Sequence, residues 1–398
     1  MKSLKTLSPP SQLVVRQADQ INSQALLVVN PPDHEWRHEF PVVAGWHLHA
    51  GWFRGWSQLG SEHQFGTTPP RGEYDGALIW LPKEKKLTDY ILRQLATCLP
   101  KGAPVWLVGD NRSGIKSIHK QLGEGYSPAQ KVANGSHSTL IVTTLTEPAE
   151  TCQLDDYRHV FTPPQEGQPL SAEGATAAQI VTYPGVFAYP KIDLGSTMLL
   201  AHLPSFKRGS VLDFACGNGV LGVSLQLQQP DLKMTYLDVS AMALAACAAT
   251  LELNGLQGTI IAEDHLGAEL PKYDYIVSHP PFHTGQATDY SIGQQFLRNA
   301  REHLTPNGEL WLVANRFLAW PELVEESFGH CERVFTDNKF AVYRAVNTVQ
   351  RAPKNGAAVD DSHRVYSAGH HLAGRQCFGV ALCFHGAHFK LNLRQANE

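Results

Sequence analysis

Two stretches of this chain carry residue types that do chemistry at loop positions. In the first, the apolar run Val211-Leu212-Asp213 leads into FACGNGVLG, where Gly217, Gly219 and Gly222 spell GxGxxG. Asp238 closes the next apolar run, nineteen residues beyond Gly219. Glycines at this spacing give a tight strand-to-helix turn that a nucleoside can approach closely, and an acid at the second strand end can hold ribose hydroxyls. A pyrophosphate needs helix N-terminal amides free of competing negative charge. Asp213 stands four residues before the first glycine, where a carboxylate suits a cationic ligand better. S-adenosylmethionine, with an ammonium, a sulfonium and no phosphate, therefore fits this loop better than a nicotinamide dinucleotide. Asp264, after the third strand, is a candidate acceptor for an adenine amine or an ordinary surface turn residue.

The second stretch is YDYIVSHPPFHTG, residues 273–285. Pro280 and Pro281 cannot continue a sheet, because neither offers an N–H and each fixes φ. The strand therefore stops at Ser278 or His279, and the following side chains stand at its carboxyl edge, where open α/β sheets bind ligands. A dehydrogenase has no use for this group; an amino-methyltransferase does. The lone pair of an exocyclic amine is delocalised into its ring and must be turned toward the methyl donor. Two acceptors achieve this by gripping the amine hydrogens: a strand-end side chain, here His279, and the carbonyl of the next residue, Pro280. Phe282 would stack on the base or plug the strand end as a core aromatic. His283 is a candidate phosphate contact or a solvated loop residue.

The elements that must position these groups form two series. Up to residue 160, the apolar runs 25–29, 77–81, 105–108 and 139–142 alternate with helix-compatible stretches such as 87–99, an α/β rhythm. The Pro/Gly/Glu-rich stretch 161–175 reads as a linker. A second α/β series, 176–347, has clearer strands at 211–213, 234–238, 259–262, 275–278, 309–314 and 340–345. Its best helix is 241–253, closed by Asn254-Gly255. Residues 348–398 form an extension whose apolar runs around His385-Gly386 predict a terminal hairpin.

Composition removes several classes. The 398 residues are 43% hydrophobic and 18% charged, ordinary for a globular protein of two or three domains. A net charge of −4 argues against gripping nucleic acid by bulk charge alone. A local basic face remains open, with Lys83, Lys85, Lys86, Arg112, Lys116 and Lys120 as candidates against a merely solvated surface. Seven scattered cysteines without a CxxC pair suggest neither a disulfide framework nor a zinc site. The C-terminal histidines (363, 370, 371, 385, 388) lack ligand spacing. No metal is expected, nor a membrane span, and a cytoplasmic setting fits best.

Taken together, VLDFACGNGVLG, LDVSAMAL, HPPFHTG, GELWLVANRF and NKFAVYRA resemble the bacterial ribosomal RNA guanine-N2 methyltransferases, and among them the branch acting on small-subunit (16S) RNA. PGVFAYPKIDLGSTMLL, LIWLPKEK and LVGDNRSGIKS extend the likeness over roughly residues 20–347. The resemblance implies two tandem Rossmann-like methyltransferase domains, the first lacking a cofactor site and helping to hold RNA. In agreement, the first strand, ALLVV, runs into NPPDHEW with no glycine loop, and Asn30-Pro31-Pro32 reads as a turn. The implied cofactor is S-adenosylmethionine, held by Gly195, Ser196, Asp213, Ala215, Gly217, Asn218, Gly219, Asp238, Val239 and Asp264. The implied partner is ribosomal RNA or the small ribosomal subunit, taken up by a monomer. His279, Pro280 and Phe282 would present the amine.

One departure bears on activity. The family has Asn where this chain has His279. A neutral imidazole also offers one acceptor nitrogen, whereas an imidazolium offers none. A working histidine variant, a non-catalytic RNA-binding relative and an amino-methyltransferase with another substrate, such as DNA adenine or a protein glutamine, all stay open at this stage.

Overall fold

A computed structural model of the chain describes residues 6–60, 62–163, 177–206, 208–280 and 290–348. The first domain opens with helix α1 (Pro9–Arg16) and builds one sheet from β1 (Leu26–Val29), β2 (Val42–His47), β3 (His63–Phe65), β4 (Gly76–Trp80), β5 (Pro104–Asp110), β6 (Gln130–Gly135) and β7 (Ser138–Thr144). Helices α2 (Ala50–Ser57) and α3 (Lys85–Ala96) make crossovers. A two-stranded ribbon, β8 (His159–Phe161) with β9 (Ile180–Thr182), joins the domains. The second domain contains α4 (Leu194–His202), β10 (Gly209–Phe214), α5 (Val220–Gln228), β11 (Leu232–Asp238), α6 (Ala241–Leu253), β12 (Thr259–Ala262) and β13 (Tyr273–Ser278). It continues with α7 (Tyr290–Glu302), β14 (Leu304–Asn315), α8 (Trp320–Phe328), β15 (Glu332–Thr336) and β16 (Phe340–Val346).

Each domain holds a seven-stranded sheet, and the two orders are the same: β3-β2-β1-β4-β5-β7-β6 and β12-β11-β10-β13-β14-β16-β15. The first five strands of each are parallel, and the last two add antiparallel. The fold is thus a tandem α/β duplication. Its central strands are buried on both faces, as parallel strands covered by crossover helices must be: Leu26–Val29 and Val211–Phe214 are all buried.

Most of the expected strands lie within one to five residues of the observed ones, and α6 occupies the expected 241–253. It is capped by Ser240 Oγ, which accepts from the Ala243 amide at 3.3 Å. Asn30 has φ 54°, and its side-chain oxygen accepts from the Leu48 amide at 3.2 Å, so this first-domain Asn-Pro-Pro is a turn that ties β1 to the end of β2. The start of the proposed linker differs: Phe161 ends β8 and pairs with Ile180. The predicted C-terminal hairpin and the histidines beyond 348 lie outside the described residues.

The domains meet along the carboxyl ends of their sheets. The Ala50 amide donates to Val239 O at 2.8 Å and the Ala241 amide to Leu48 O at 2.9 Å, a miniature strand pairing between the ends of β2 and β11. A single buried apolar cluster includes Leu87 and Tyr90 of α3 together with Val186, Leu244 and Val277. The first domain is therefore a buttress for the ends of the second domain's strands.

Candidate functional site

The site begins with two neighbouring strands ending together. Parallel pairing puts Phe214 of β10 beside Ser278 of β13, and Ser278 Oγ donates to Phe214 O at 2.8 Å. Ala215 then turns with φ 57°, opening the glycine loop, while His279 and Pro280 leave the adjacent strand. Gly222 lets α5 pack on β11, since a Cβ there would come within 2.4 Å of Tyr236 Cε1. A cavity of about 710 Å³ occupies the resulting crevice, within the usual size range of small-molecule sites. Ala215, Gly217, Asn218, Asp238, Val239, Asp264, Ser196, His279 and Pro280 all line it.

Asp213 does not line it. Its side chain is fully buried, with Oδ2 accepting from the Gly222 amide at 2.9 Å and Oδ1 without a partner among the described residues. Burial raises its pKa to about 7, against the lowering effect of the Gly222 bond, with the neighbouring Asp238 charge adding to the rise. The expectation that this carboxylate meets a cationic ligand is therefore corrected. Strand β10 is covered on both faces, so the side chain ties the helix to its strand. The Val220 amide is likewise taken by Asn218 Oδ1, at 3.3 Å. With these first-turn amides occupied, the helix start is poorly suited to a pyrophosphate.

Asp238 stands at the cavity wall. Its Oδ2 accepts from the Gly217 amide at 2.8 Å and its Oδ1 from the Ser240 amide at 2.9 Å. Burial raises its pKa, opposed by these amide bonds. The Val239 amide also helps hold this carboxylate, whose remaining lone-pair capacity can serve a ribose hydroxyl.

Asp264 lines the cavity and also reaches across to the first domain. Its Oδ1 accepts from Arg54 of the first domain at 3.0 Å and bonds His265 Nδ1 at 2.6 Å. Burial would push its carboxyl up, but the hydrogen bonds to His265 and Arg54 carry it below the usual range. Glu263, also at the cavity wall, pairs with the same guanidinium.

His279 is held from below. Its Nδ1 lies 2.6 Å from Asp193 Oδ2 and 3.4 Å from Ser196 Oγ. Asp193 is the N-cap of α4, the same Oδ2 accepting from the Ser196 amide at 2.6 Å. Burial alone would raise the Asp193 pKa, but the bonds to His279 and Ser196 lower it. The imidazole packs on Gly195, where a Cβ would sit 2.5 Å from His279 Cε1. Phe187 and Phe340 stand edge-on to the ring at 5.6 and 6.0 Å.

A second cavity of about 250 Å³ lies beyond, lined by Phe187, Asn315, Trp320, Lys339 and Phe340. Asp193, His279, Pro280 and Phe187 border both cavities, so they form the wall between them. Phe282 and His283 lie outside the described residues. Sequence reasoning missed Asp193, Phe187 and Phe340. The signal for Asp193 was present, an acid at an N-cap position two residues before Gly195-Ser196.

The chain matches the methyltransferase small domain model over residues 177–344 and the methyltransferase small domain N-terminal model over 11–161. It is 36% identical over 341 residues to the ribosomal RNA small subunit methyltransferase C of Stutzerimonas stutzeri, covering 85% of this chain and 99% of the relative. This chain belongs to the small-subunit ribosomal RNA methyltransferase C family. The Idiomarina loihiensis member is 38% identical over 323 residues, 81% of this chain and 93% of its own. Among solved structures, a T. thermophilus 16S rRNA N2 methyltransferase in complex with AdoMet and guanosine superposes with a TM-score of 0.68. It is 22% identical, and the match covers 84% of this chain and 91% of that one, a likeness of fold. The two family models fall on the two sheets, the N-terminal one on the first and the small-domain one on the second.

Proposed function

We propose that this protein is an S-adenosylmethionine-dependent methyltransferase acting on the exocyclic N2 amine of a guanine in 16S ribosomal RNA. The observation that carries the reading is the shared wall: His279 and Pro280 separate a large cavity built on the glycine loop from a smaller, aromatic-lined one. A methyl donor and a base belong on opposite sides of such a wall. Relatives of known name across more than four-fifths of the chain supply the substrate class.

The fit to the cofactor rests on the donor set. Asp238 offers free lone pairs to a ribose, Gly217 faces open space, and the helix start is closed to phosphate by Asp213 and Asn218. When bound, S-adenosylmethionine supplies an electrophilic methyl group. Ala215, Gly217, Asn218, Asp238 and Val239 line its cavity, with Ser196 and Gly195 at the foot of His279. His279 and the Pro280 carbonyl grip the amine hydrogens, and Phe187 and Phe340 keep the surroundings apolar and flat-sided.

The first domain holds RNA. Lys83, Lys85 and Lys86 follow β4, and Arg112, Lys116 and Lys120 follow β5, so the topology gathers six cations at one sheet edge. All six side chains are exposed, as phosphate contacts need to be. Boundaries at 1–161, 162–175, 176–347 and 348–398, a monomeric state, the absence of a metal and a cytoplasmic location complete the reading. Among the described residues no helix is long and apolar enough to cross a membrane.

The test is direct. Purified protein, methyl-labelled S-adenosylmethionine and unmodified 16S RNA or small subunits should yield N2-methylguanosine on nucleoside mass analysis. Binding of S-adenosylhomocysteine and RNA without any transfer would instead identify a non-catalytic relative. Label in adenine or protein would identify another amine substrate.

A further inference from the structure

The family's asparagine has a fixed acceptor oxygen, whereas a neutral histidine has two nitrogens, only one of which accepts. Which one is set by whatever the other ring nitrogen meets. In this chain Nδ1 meets Asp193 Oδ2 at 2.6 Å, in a pocket where the two side chains are only 9% and 13% exposed. The Asp193 carboxylate is itself fixed by the Ser196 amide at 2.6 Å, and the ring is seated on Gly195 between Phe187 and Phe340. The charged side chain within hydrogen-bond reach of the imidazole among the described residues is Asp193. Lys339 lies on the second cavity's wall, its ammonium over the Phe340 ring at 4.9 Å.

We propose that Asp193 is a positioning residue that holds His279 in the Nδ1–H tautomer, so that Nε2 both accepts the hydrogen bond of the guanine amine and takes its proton. This rests on the function proposed above. An acceptor-only carboxylate can bond Nδ1 only if that nitrogen carries the hydrogen, which in the neutral ring leaves the Nε2 lone pair for the substrate. Methylation leaves the amine nitrogen with one bond and one positive charge too many. Its N–H bond breaks, the electron pair stays on nitrogen, and the proton forms an Nε2–H bond. The resulting imidazolium sits against the Asp193 carboxylate, which balances its charge. An asparagine can orient an amine but cannot take its proton. The substitution at 279, together with the acid beneath it, thus adds a base at the site.

The first readout needs no turnover. Nitrogen-15 NMR of the full chain, with the His279 signals assigned by their loss in His279→Asn, should show hydrogen on Nδ1 and a lone pair on Nε2. Asp193→Ser keeps a helix cap but cannot reach the ring. It should abolish the Nδ1–H preference, lower kcat roughly a hundredfold, the range of a lost general base, and leave the affinity for S-adenosylhomocysteine within about threefold. Asp193→Asn can keep the cap and the hydrogen bond without the charge, so it should retain the tautomer and lose about tenfold in kcat. Hydrogen on Nε2 in the wild type overturns the proposal whatever the activity. So does Asp193→Ser with wild-type kcat, or with cofactor affinity falling in step with kcat, the pattern of a cap alone. Wild-type protein with Nδ1–H that methylates no guanine would sink the functional reading and the proton-accepting role with it, while leaving the pairing intact.

Discussion

The guanidinium of Arg54 in the first domain donates to Asp264 of the second at 3.0 Å and reaches Glu263 beside it, so a helix of the first domain grips the rim of the larger cavity. Glu263 is nearly buried, and burial raises its pKa against the pull of Arg54. Removing the guanidinium leaves that acid without its cation. A fully buried pair broken on one side costs about 3–5 kcal/mol. Arg54 is 39% exposed, so water screens part of this and about 1–2 kcal/mol is expected for Arg54→Ala. Urea unfolding measures it, and the same variant should bind S-adenosylhomocysteine more weakly by calorimetry. An unchanged midpoint and affinity would show that the contact does not couple the domains.

Gly195 should tolerate nothing larger while residue 279 is histidine. A Cβ at 195 would lie 2.5 Å from Cε1 and 3.1 Å from both ring nitrogens of His279. Displacing the ring by about an ångström costs roughly a hundredfold in rate. Gly195→Ala should therefore lose activity in the wild type but cost little further when added to His279→Asn, because asparagine lacks the clashing ring atoms. Kinetics on the two single variants and the double variant check this; equal losses in both backgrounds would contradict it.

Asp213 makes a prediction about stability without ligand. Its folded pKa is raised by burial from the ordinary carboxylate value of 3.8 to about 7. A raised carboxyl binds its proton more tightly folded than unfolded. Its contribution is therefore fully present below about pH 4 and is lost as pH rises through about 7. Measured against Asp213→Asn, which does not titrate, the wild type should lose ground between those limits, by a few kcal/mol at most, and hold level above. Denaturant midpoints of both proteins at pH 5, 6, 7 and 8 give the curve. A gap independent of pH would mean that Asp213 is ionised throughout.

The sequence shows its central strands because they are apolar runs bounded by turn residues, as at Gly76–Trp80 and Val211–Phe214. Strand β2, VVAGWH, was not read, because Gly45 and His47 interrupt its pattern; its place comes from pairing with β1 and β3. The polar edge strands β6 and β15 owe their form to one neighbour each. At the site, the glycine loop and the HPPF turn are local signals and were legible. Asp193 and His279 are 86 residues apart, and no local pattern announces their contact. Asp213 was misread for a related reason: its type suggests a ligand, while its burial follows from helices packed on both faces of the sheet. Nor does any local pattern announce that Asp264 pairs with Arg54 of the other domain.

On the function proposed above, this chain transfers a methyl to a guanine N2 in 16S RNA through an amine held at His279. Nucleoside mass mapping of 16S RNA from cells lacking the gene, complemented by wild type or by His279→Ala, tests it most directly. One N2-methylguanosine should vanish on deletion, return with the wild type and stay absent with His279→Ala, while His279→Ala still binds S-adenosylhomocysteine. An unchanged methylguanosine profile in the deletion strain, or full restoration by His279→Ala, would contradict it.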